Sequence, residues 1–280
     1  MGAWMDETRK SVYFRNIVWN TVSRKPMPKG VAMFHAGRSG STVLGNLFNQ
    51  HPDLFWDSEV LQAQRLNPLP GYVSGRIIRQ IKFHLQARRR RCVARYYGFE
   101  AKPIQVSNLG MTTESFIYLL NSLGYERFIV LERRNLLRII VSHLVAKKSG
   151  NFHNKNSKEL PETQDKEKSS RELYLNLQAV PFQGTKEPLI TQLKNLQQEF
   201  IEIKRSLNDY GSLQLVYEDD IEREPRVAYR KVCEYLDIPI LPVEIQYRKT
   251  NPTHLSNIIE NFEDLAIALW GSEFEWMLDG

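Results

Sequence analysis

The chain has few cysteines and no long apolar run. Its 2 cysteines among 280 residues, Cys92 and Cys233, cannot build a disulfide framework and lack the spacing of a metal site. No apolar stretch approaches the roughly 20 residues that a membrane-spanning helix needs, and the first residues lack the apolar core of a signal peptide. These absences predict a cytoplasmic protein with reduced thiols and no membrane span.

A complete Walker A motif is also missing, although a related glycine-rich segment is present. An apolar run over 31–34 predicts a buried strand, and a turn and a helical pattern follow it. Walker A needs four residues between its glycines and a final Gly-Lys-Ser/Thr. Here only Arg38 and Ser39 separate Gly37 from Gly40, and no lysine follows. The ligand should therefore carry phosphate without needing a metal-bound triphosphate.

The same segment has the composition of an anion site. Gly37 and Gly40 allow the backbone to turn tightly. Backbone N–H groups at a helix N-terminus, together with the helix dipole, attract negative charge. We therefore predict a P-loop-like phosphate-binding loop. The side chains that add charge or hydroxyl donors to it are Arg38, Ser39, Ser41 and Thr42.

Strand-type runs alternate with helical patterns along the chain. Strands are predicted at 31–34, 54–56, 103–107, 128–131 and 213–217, and helices at 6–23, 42–49, 76–96, 113–123, 136–147 and 189–207. Such alternation predicts an α/β fold, a single domain over 1–280 with a central parallel sheet flanked by helices. Residues 1–28 are expected to be an N-terminal helical extension, and residues 149–188 a mobile lid or a surface insert.

A second candidate for phosphate binding follows the predicted strand over 128–131. Arg134 stands where this strand ends, and Ser142 lies eight residues later, about two helical turns on. The planar guanidinium of arginine can bind phosphate oxygens through two N–H groups at once. These two residues could grip one phosphate from two sides, and the alternative is that Arg134 is a surface residue.

Together the two segments resemble the cytosolic-type sulfotransferases that use 3′-phosphoadenosine 5′-phosphosulfate (PAPS), and in particular their bacterial small-molecule branch. The resemblance implies that Arg38–Thr42 binds the 5′-phosphosulfate and that Arg134 and Ser142 bind the 3′-phosphate. Many members have lysine where this chain has Arg38, and both residues are cations. The by-product would be 3′-phosphoadenosine 5′-phosphate (PAP), and no metal would be required.

Later segments extend the resemblance, which covers about 29–269 in all. Leu213–Asp220 looks like the family's late strand and Tyr-Glu-Asp turn, which implies that Tyr217 lies at the nucleotide. The stretch over 225–236 resembles the helix that follows. Arg248 and Lys249 occupy the place of the late basic loop, so residues 248–280 are expected to close over the nucleotide.

Sulfuryl transfer needs cations at the leaving phosphate and a general base at the acceptor. Arg38 fits the first role. The resemblance favours Glu59 as the base, because related bacterial members carry an acidic residue there, and Asp57 is its competitor. In a β-like stretch both side chains would point the same way into the pocket. The histidines weighed against them and expected to be structural are His35, His84, His143 and His153.

The net charge of +6 suits anionic ligands. Much of it comes from Arg88–Arg91, which is expected to be the solvated face of an amphipathic helix and not a nucleic-acid site. The acidic pair and nearby aromatic residues favour a polar small-molecule acceptor with a hydroxyl, amine or guanidinium group, such as a natural product. The oligomeric state stays open, with a homodimer as one candidate.

Three other functions compete with a PAPS-dependent sulfotransferase. A nucleotide or small-molecule kinase would need the missing Walker lysine and an aspartate that holds Mg²⁺ after a strand. A non-catalytic nucleotide-binding protein would keep the fold and lose the base. A glycan or protein sulfotransferase would be expected to carry a membrane anchor and disulfides.

Overall fold

Strands and helices alternate along the computed structural model, which describes residues 26–62, 74–150, 173–247 and 254–279. The strands are β1 (Lys29–Phe34), β2 (Leu54–Glu59), β3 (Tyr96–Ala101), β4 (Tyr125–Glu132), β5 (Val180–Phe182), β6 (Thr185–Glu187) and β7 (Ser212–Val216). The helices are α1 (Ser41–Phe48), α2 (Ser74–Arg90), α3 (Pro103–Asn108), α4 (Thr113–Ser122), α5 (Leu136–Ser149), α6 (Leu189–Ser206), α7 (Tyr217–Asp220), α8 (Arg226–Leu236) and α9 (Phe262–Leu269).

Five of these strands form one parallel sheet in the order β2-β3-β1-β4-β7. The predicted α/β class, with a central parallel sheet flanked by helices, is therefore confirmed. Strands β5 and β6 form a separate antiparallel hairpin. Because all five strands of the main sheet run the same way, the segments that follow them meet at one edge, where parallel sheets usually bind ligands. In the part of the chain described here, no helix is long and apolar enough to cross a bilayer.

The core lies on both faces of the sheet, which explains the unbroken apolar run of β1. Val31 and Met33 pack on one face with residues of α1 and α8. Ala32 and Phe34 pack on the other face with residues of α4, α5 and α6. All four are fully buried. A strand covered on both sides has no polar face, so its sequence does not alternate.

Two predicted elements around β3 are wrong. The helix predicted over 76–96 ends at Arg90, and Tyr96–Ala101 is a strand beside the central one. Its aromatic side chains fit a pleated buried surface better than a helix. The strand predicted over 103–107 is helix α3, which begins with Pro103. Proline at the first helical position is favourable, because its ring presets the helical φ angle and no N–H is needed there.

The arginine run at the end of α2 is solvated only in part: Arg90 and Arg91 are exposed as the sequence interpretation expects, whereas Arg88 and Arg89 are not. Arg88 forms an ion pair with the buried Asp57. Arg89 is buried, and its guanidinium donates to the backbone carbonyls of Pro28 and Leu123 over 2.5 and 2.6 Å. These two cations hold helix α2 to the sheet and to neighbouring loops, because a buried guanidinium needs acceptors for its N–H groups.

Candidate functional site

A cavity of about 670 Å³ opens at the edge of the sheet where β1, β3, β4 and β7 end. Its wall includes the loop after β1, the start of α1, one side of α5 and the β5–β6 hairpin. More cations than carboxylates line it, which favours an anionic ligand. The cations are Arg38, Lys102, Arg133, Arg138 and Arg223, and the carboxylates are Glu59 and Glu222.

The loop between β1 and α1 turns through three residues with left-handed backbone angles. Gly37, Arg38 and Gly40 have φ values of 91°, 53° and 84°. A side chain at Gly40 would also place its Cβ 2.7 Å from a methyl carbon of Ile221, so this position needs glycine twice over. The N–H of Leu44 donates to the backbone carbonyl of Gly40. The N–H groups that precede Leu44 in the first turn therefore have no acceptors inside the helix.

Arg38 connects this loop to helix α5. Its Nε atom donates to the Oγ atom of Ser142 over 2.9 Å, and its backbone carbonyl accepts from Arg133 over 2.9 Å. The guanidinium of Arg133 lies 4.3 Å from the centre of the Tyr217 ring, which fixes its plane by a cation–π contact. The structure therefore brings the predicted residues Arg38, Ser142 and Tyr217 together in one wall.

Two buried polar atoms at the loop have no hydrogen-bond partner among the described residues, the Nε of Arg133 and the Oγ of Ser39. Arg133 is 8% exposed and lines the cavity, whereas Ser39 is fully buried behind it. Leaving such donors unpaired costs free energy, about 1–3 kcal/mol for each neutral group. An anion in the cavity would give the Arg133 N–H an acceptor.

Arg134 does not line this cavity, and the predicted binding of one phosphate by Arg134 and Ser142 stays a prediction. Half of the Arg134 side chain is exposed, and its guanidinium contacts Asp219 and Glu218 on helix α7. Glu218 also accepts the backbone N–H groups of Arg134 and Asn135 at the start of α5. Because β7 lies beside β4, the acidic residues that follow β7 contact Arg134. The neighbouring residue Arg133 lines the cavity.

Asp57 and Glu59 lie in different environments, so the expectation that both line one pocket is also wrong. Ser58 between them has a left-handed φ of 51°, and the pairing of β2 with β3 shifts register at this point. This break ends the strand alternation on which the expectation rested. Glu59 lines the cavity, whereas Asp57 is buried against Arg88 and accepts from the hydroxyl of Tyr97 over 2.8 Å.

Glu59 is held by three donors at the edge of the cavity. The ammonium of Lys102 lies 2.6 Å from its Oε1 atom, and Gln105 and Gln62 donate to Oε2 over 2.7 and 3.1 Å. Burial raises the pKa of Glu59, but the Lys102 charge and the hydrogen bonds from Lys102 and Gln62 outweigh it and lower the pKa below its usual value. Glu59 is therefore a carboxylate that positions Lys102 beside the loop.

His143 is a functional candidate that the sequence interpretation set aside as structural. It follows Ser142 on α5, and its half-buried side chain also lines the cavity. Its ring stands edge-on to Phe182 of the hairpin, with the centroids 5.3 Å apart. Burial, then the charges of Arg38, Lys102 and Lys147, lower the pKa of His143. The imidazole is therefore neutral near pH 7 and can accept a proton.

Most of the predicted site residues meet at the cavity. Those that line it are Gly37, Arg38, Gly40, Ser41, Thr42, Glu59, Ser142 and Tyr217. Arg248 and Lys249 lie outside the described residues. The wall members that sequence reasoning missed are Lys102, Arg133, Arg138 and His143. Lys102 and Arg133 each follow the end of a strand directly, which is a signal that could have found them once β3 was recognised.

The wall therefore combines five cationic side chains and two carboxylates with the imidazole of His143. Within the described ranges, no three side chains of His, Cys, Asp or Glu are grouped as they would be to hold a metal ion. The expectation that PAPS is used without a metal ion stays a prediction. A scan against models of known protein families and a search of curated proteins both find no match to this chain.

Proposed function

We propose that this chain is a PAPS-dependent sulfotransferase. It would move a sulfuryl group from PAPS to a hydroxyl or amine nitrogen of a small-molecule acceptor and release PAP. The observation that carries the proposal is the hydrogen bond from Arg38 to Ser142, because it joins the two segments with the sulfotransferase resemblance in one cationic cavity. Neither segment alone distinguishes this activity from other phosphate chemistry.

The loop after β1 takes the role of a P-loop-like site for the 5′-phosphosulfate. Its left-handed turns and the helix N-terminus that follows them suit an anion. Arg38 and Lys102 add two positive charges at this loop, since a Cβ at Gly37 would lie 3.6 Å from the Lys102 Nζ atom and both side chains line the cavity. Cations in these places stabilise the charge that develops on the leaving phosphate.

Arg133 and Arg138 take the place that the resemblance gave to Arg134 at the 3′-phosphate. Both line the cavity together with Ser142. The Nε of Arg133 has a donor to offer, and Arg138 lies one helical turn before Ser142 on the same side of α5. The guanidinium groups can bind phosphate oxygens bidentately.

We assign the general base to His143 and give Glu59 a positioning role. The lone pairs of Glu59 already accept from Lys102, Gln105 and Gln62, whereas the His143 ring has an apolar neighbour and is neutral. The acceptor O–H or N–H gives its proton to His143 as the acceptor atom bonds to sulfur. The bond from sulfur to the bridging oxygen breaks, and its electron pair stays on the phosphate of PAP.

A transfer assay with sulfur-labelled PAPS and no added metal tests the proposal. The protein is incubated with a panel of phenols, alcohols, amines and guanidines, and labelled products and PAP are separated by chromatography. We expect labelled product from at least one acceptor class, with PAP formed in equal amount. A panel that gives neither labelled product nor PAP, while labelled ATP with Mg²⁺ phosphorylates an acceptor, would replace this proposal with a kinase.

A further inference from the structure

A buried polar network lies beneath the loop, between strands β2 and β3 and helix α1. It consists of His35, Trp56 and Glu100, which are 0%, 2% and 3% exposed. The indole N–H of Trp56 donates to Oε1 of Glu100 over 3.1 Å, and Oε2 of Glu100 lies 3.1 Å from Nε2 of His35. A buried carboxylate under a loop that binds an anion repels that anion. We therefore expect Glu100 to have a role that offsets this repulsion.

The hydrogen bond on the other side of the imidazole defines the proton position. The backbone N–H of Gly37 donates to Nδ1 of His35 over 3.0 Å, so Nδ1 carries no proton and the ring proton is on Nε2. This N–H faces Glu100. Nε2 forms no regular hydrogen bond with Glu100, so the attraction is between the N–H dipole and the carboxylate charge. Moving the ring proton to Nδ1 would set two donors against each other at Gly37.

Tight packing holds Glu100 and Trp56 in these places. A Cβ at Gly98, on the same strand as Glu100, would lie 2.1 Å from a ring carbon of Trp56. A Cβ at Gly45 of helix α1 would lie 2.8 Å from the indole and 3.3 Å from Oε1 of Glu100. The two glycines therefore let the indole lie flat between strand and helix, with its N–H on the carboxylate.

We propose that Glu100 is a positioning residue for the anion loop and that it acts through His35. Glu100 keeps the ring proton of His35 on Nε2, so that Nδ1 accepts from Gly37 and holds the left-handed turn at Gly37 and Arg38. The N–H of Gly37 is thereby turned inward, and the loop keeps the shape in which it faces the cavity. The identity of that anion rests on the proposed function, whereas the order of the loop can be measured without a ligand.

Hydrogen exchange of the Gly37 amide, followed by NMR on the ligand-free protein, tests whether Glu100 and His35 hold the turn at Gly37. His35→Ala and Glu100→Gln should each speed exchange about tenfold, which corresponds to the loss of one hydrogen bond. His35→Asn should restore protection, since its amide oxygen can replace Nδ1. In the His35→Asn background, Glu100→Gln should have no further effect. Unchanged Gly37 exchange in His35→Ala or Glu100→Gln, with the fold intact by circular dichroism, would overturn the proposal.

Calorimetric titration of the same variants with PAP tests whether the order of the loop affects binding of the anion. PAP affinity should fall about tenfold in Glu100→Gln and His35→Ala and return to within about threefold of wild type in His35→Asn. Equal affinities in all four proteins would overturn the positioning role. If wild type does not bind PAP and Gly37 exchange still responds as predicted, the proposed function fails and the loop device stands.

Discussion

The Nε atom of Arg38 donates a hydrogen bond to the Oγ atom of Ser142, although 104 positions separate the two residues in the chain. Arg38 belongs to the loop after the central strand, and Ser142 belongs to helix α5 after the neighbouring strand. The contact joins two surfaces that each suit a phosphate. It also fixes the side chain of Arg38, a residue whose backbone has an unfavourable left-handed conformation.

Removal of the Ser142 hydroxyl should weaken donor binding. Ser142→Ala deletes the acceptor for Arg38 and a donor for phosphate, so we expect PAP affinity to fall about tenfold to a hundredfold, since bonds to charged groups contribute about 1.5–3 kcal/mol. Calorimetry without Mg²⁺ gives the affinity. Ser142→Thr, which keeps the oxygen, is the control, and an Ala variant that binds as tightly as the Thr variant would contradict the assigned contact.

Adjacent arginines should differ in their effect on PAP. Arg133 lines the cavity with an unpaired buried N–H, so Arg133→Ala should weaken PAP binding by about a hundredfold. Arg134 is half exposed and paired with Asp219, and Arg134→Ala should weaken it by less than about threefold. The two affinities, measured side by side, decide the assignment. The reverse order would restore the sequence interpretation.

His143 should control the acidic limb of the rate. Its pKa is lowered by burial and by Arg38, Lys102 and Lys147, so the ring is neutral at pH 7 and the rate should fall as pH drops through that lowered pKa. His143→Gln should lower kcat about a hundredfold and remove this limb, with PAP affinity unchanged. The pH profile of the labelled-transfer assay measures it. Loss of the limb in Glu59→Gln instead would make Glu59 the base.

Gly98→Ala should destabilise the fold because there is no space for a methyl group at this position. Its Cβ would lie 2.1 Å from a ring carbon of the buried Trp56, and overpacking of this kind costs about 3 kcal/mol. Gly211→Ala is the control: it has a left-handed φ of 66° and open space, so it should cost only about 1 kcal/mol. Chemical denaturation gives both free energies of unfolding. Equal losses would show that the indole can move aside.

Glu199 on helix α6 should make the fold less stable as pH rises from acidic to neutral values. Burial is the main cause that raises the pKa of Glu199 to about 7. A raised folded-state pKa means that the folded protein binds this proton more tightly than the unfolded chain does. The resulting stability is present below the unfolded pKa and is lost as pH rises through about 7.

Replacement of Glu199 by Gln should remove this pH dependence. The difference in unfolding free energy between Glu199→Gln and wild type should therefore grow in favour of the variant as pH rises from acidic values through about 7. Urea denaturation at several pH values measures it, with Glu234→Gln, at an exposed glutamate of α8, as the control. A difference that stays constant across this range would contradict the raised pKa.

Local patterns were sufficient to predict the first strand, the tight turn at Gly37 and Gly40 and the helix after it, because neighbouring residues determine each of these features. The same holds for Ser142, whose place follows from its helix. Arg133 and Arg134 could not be told apart in this way. The choice depends on the acidic turn of α7, which lies 83–85 positions away and comes beside β4 through sheet order alone.

Strand β3 was missed for a different reason. Its residues follow an arginine run that continues a helical pattern, and only their position between β1 and β2 shows that they are extended. With β3 absent, Glu100 and Lys102 could not be placed at the loop. Asp57 was misplaced because the left-handed turn at Ser58 reverses the alternation, and a serine carries no signal for such a turn.

Titration of the wild-type protein with PAP, by calorimetry in a chelator without Mg²⁺, tests the central claim most directly. The arginines, Ser142 and the loop all meet at one cavity, so we predict micromolar binding of one PAP per chain that Arg133→Ala weakens by about a hundredfold. Absence of PAP binding, together with binding of ATP that appears only with Mg²⁺, would contradict the sulfotransferase proposal.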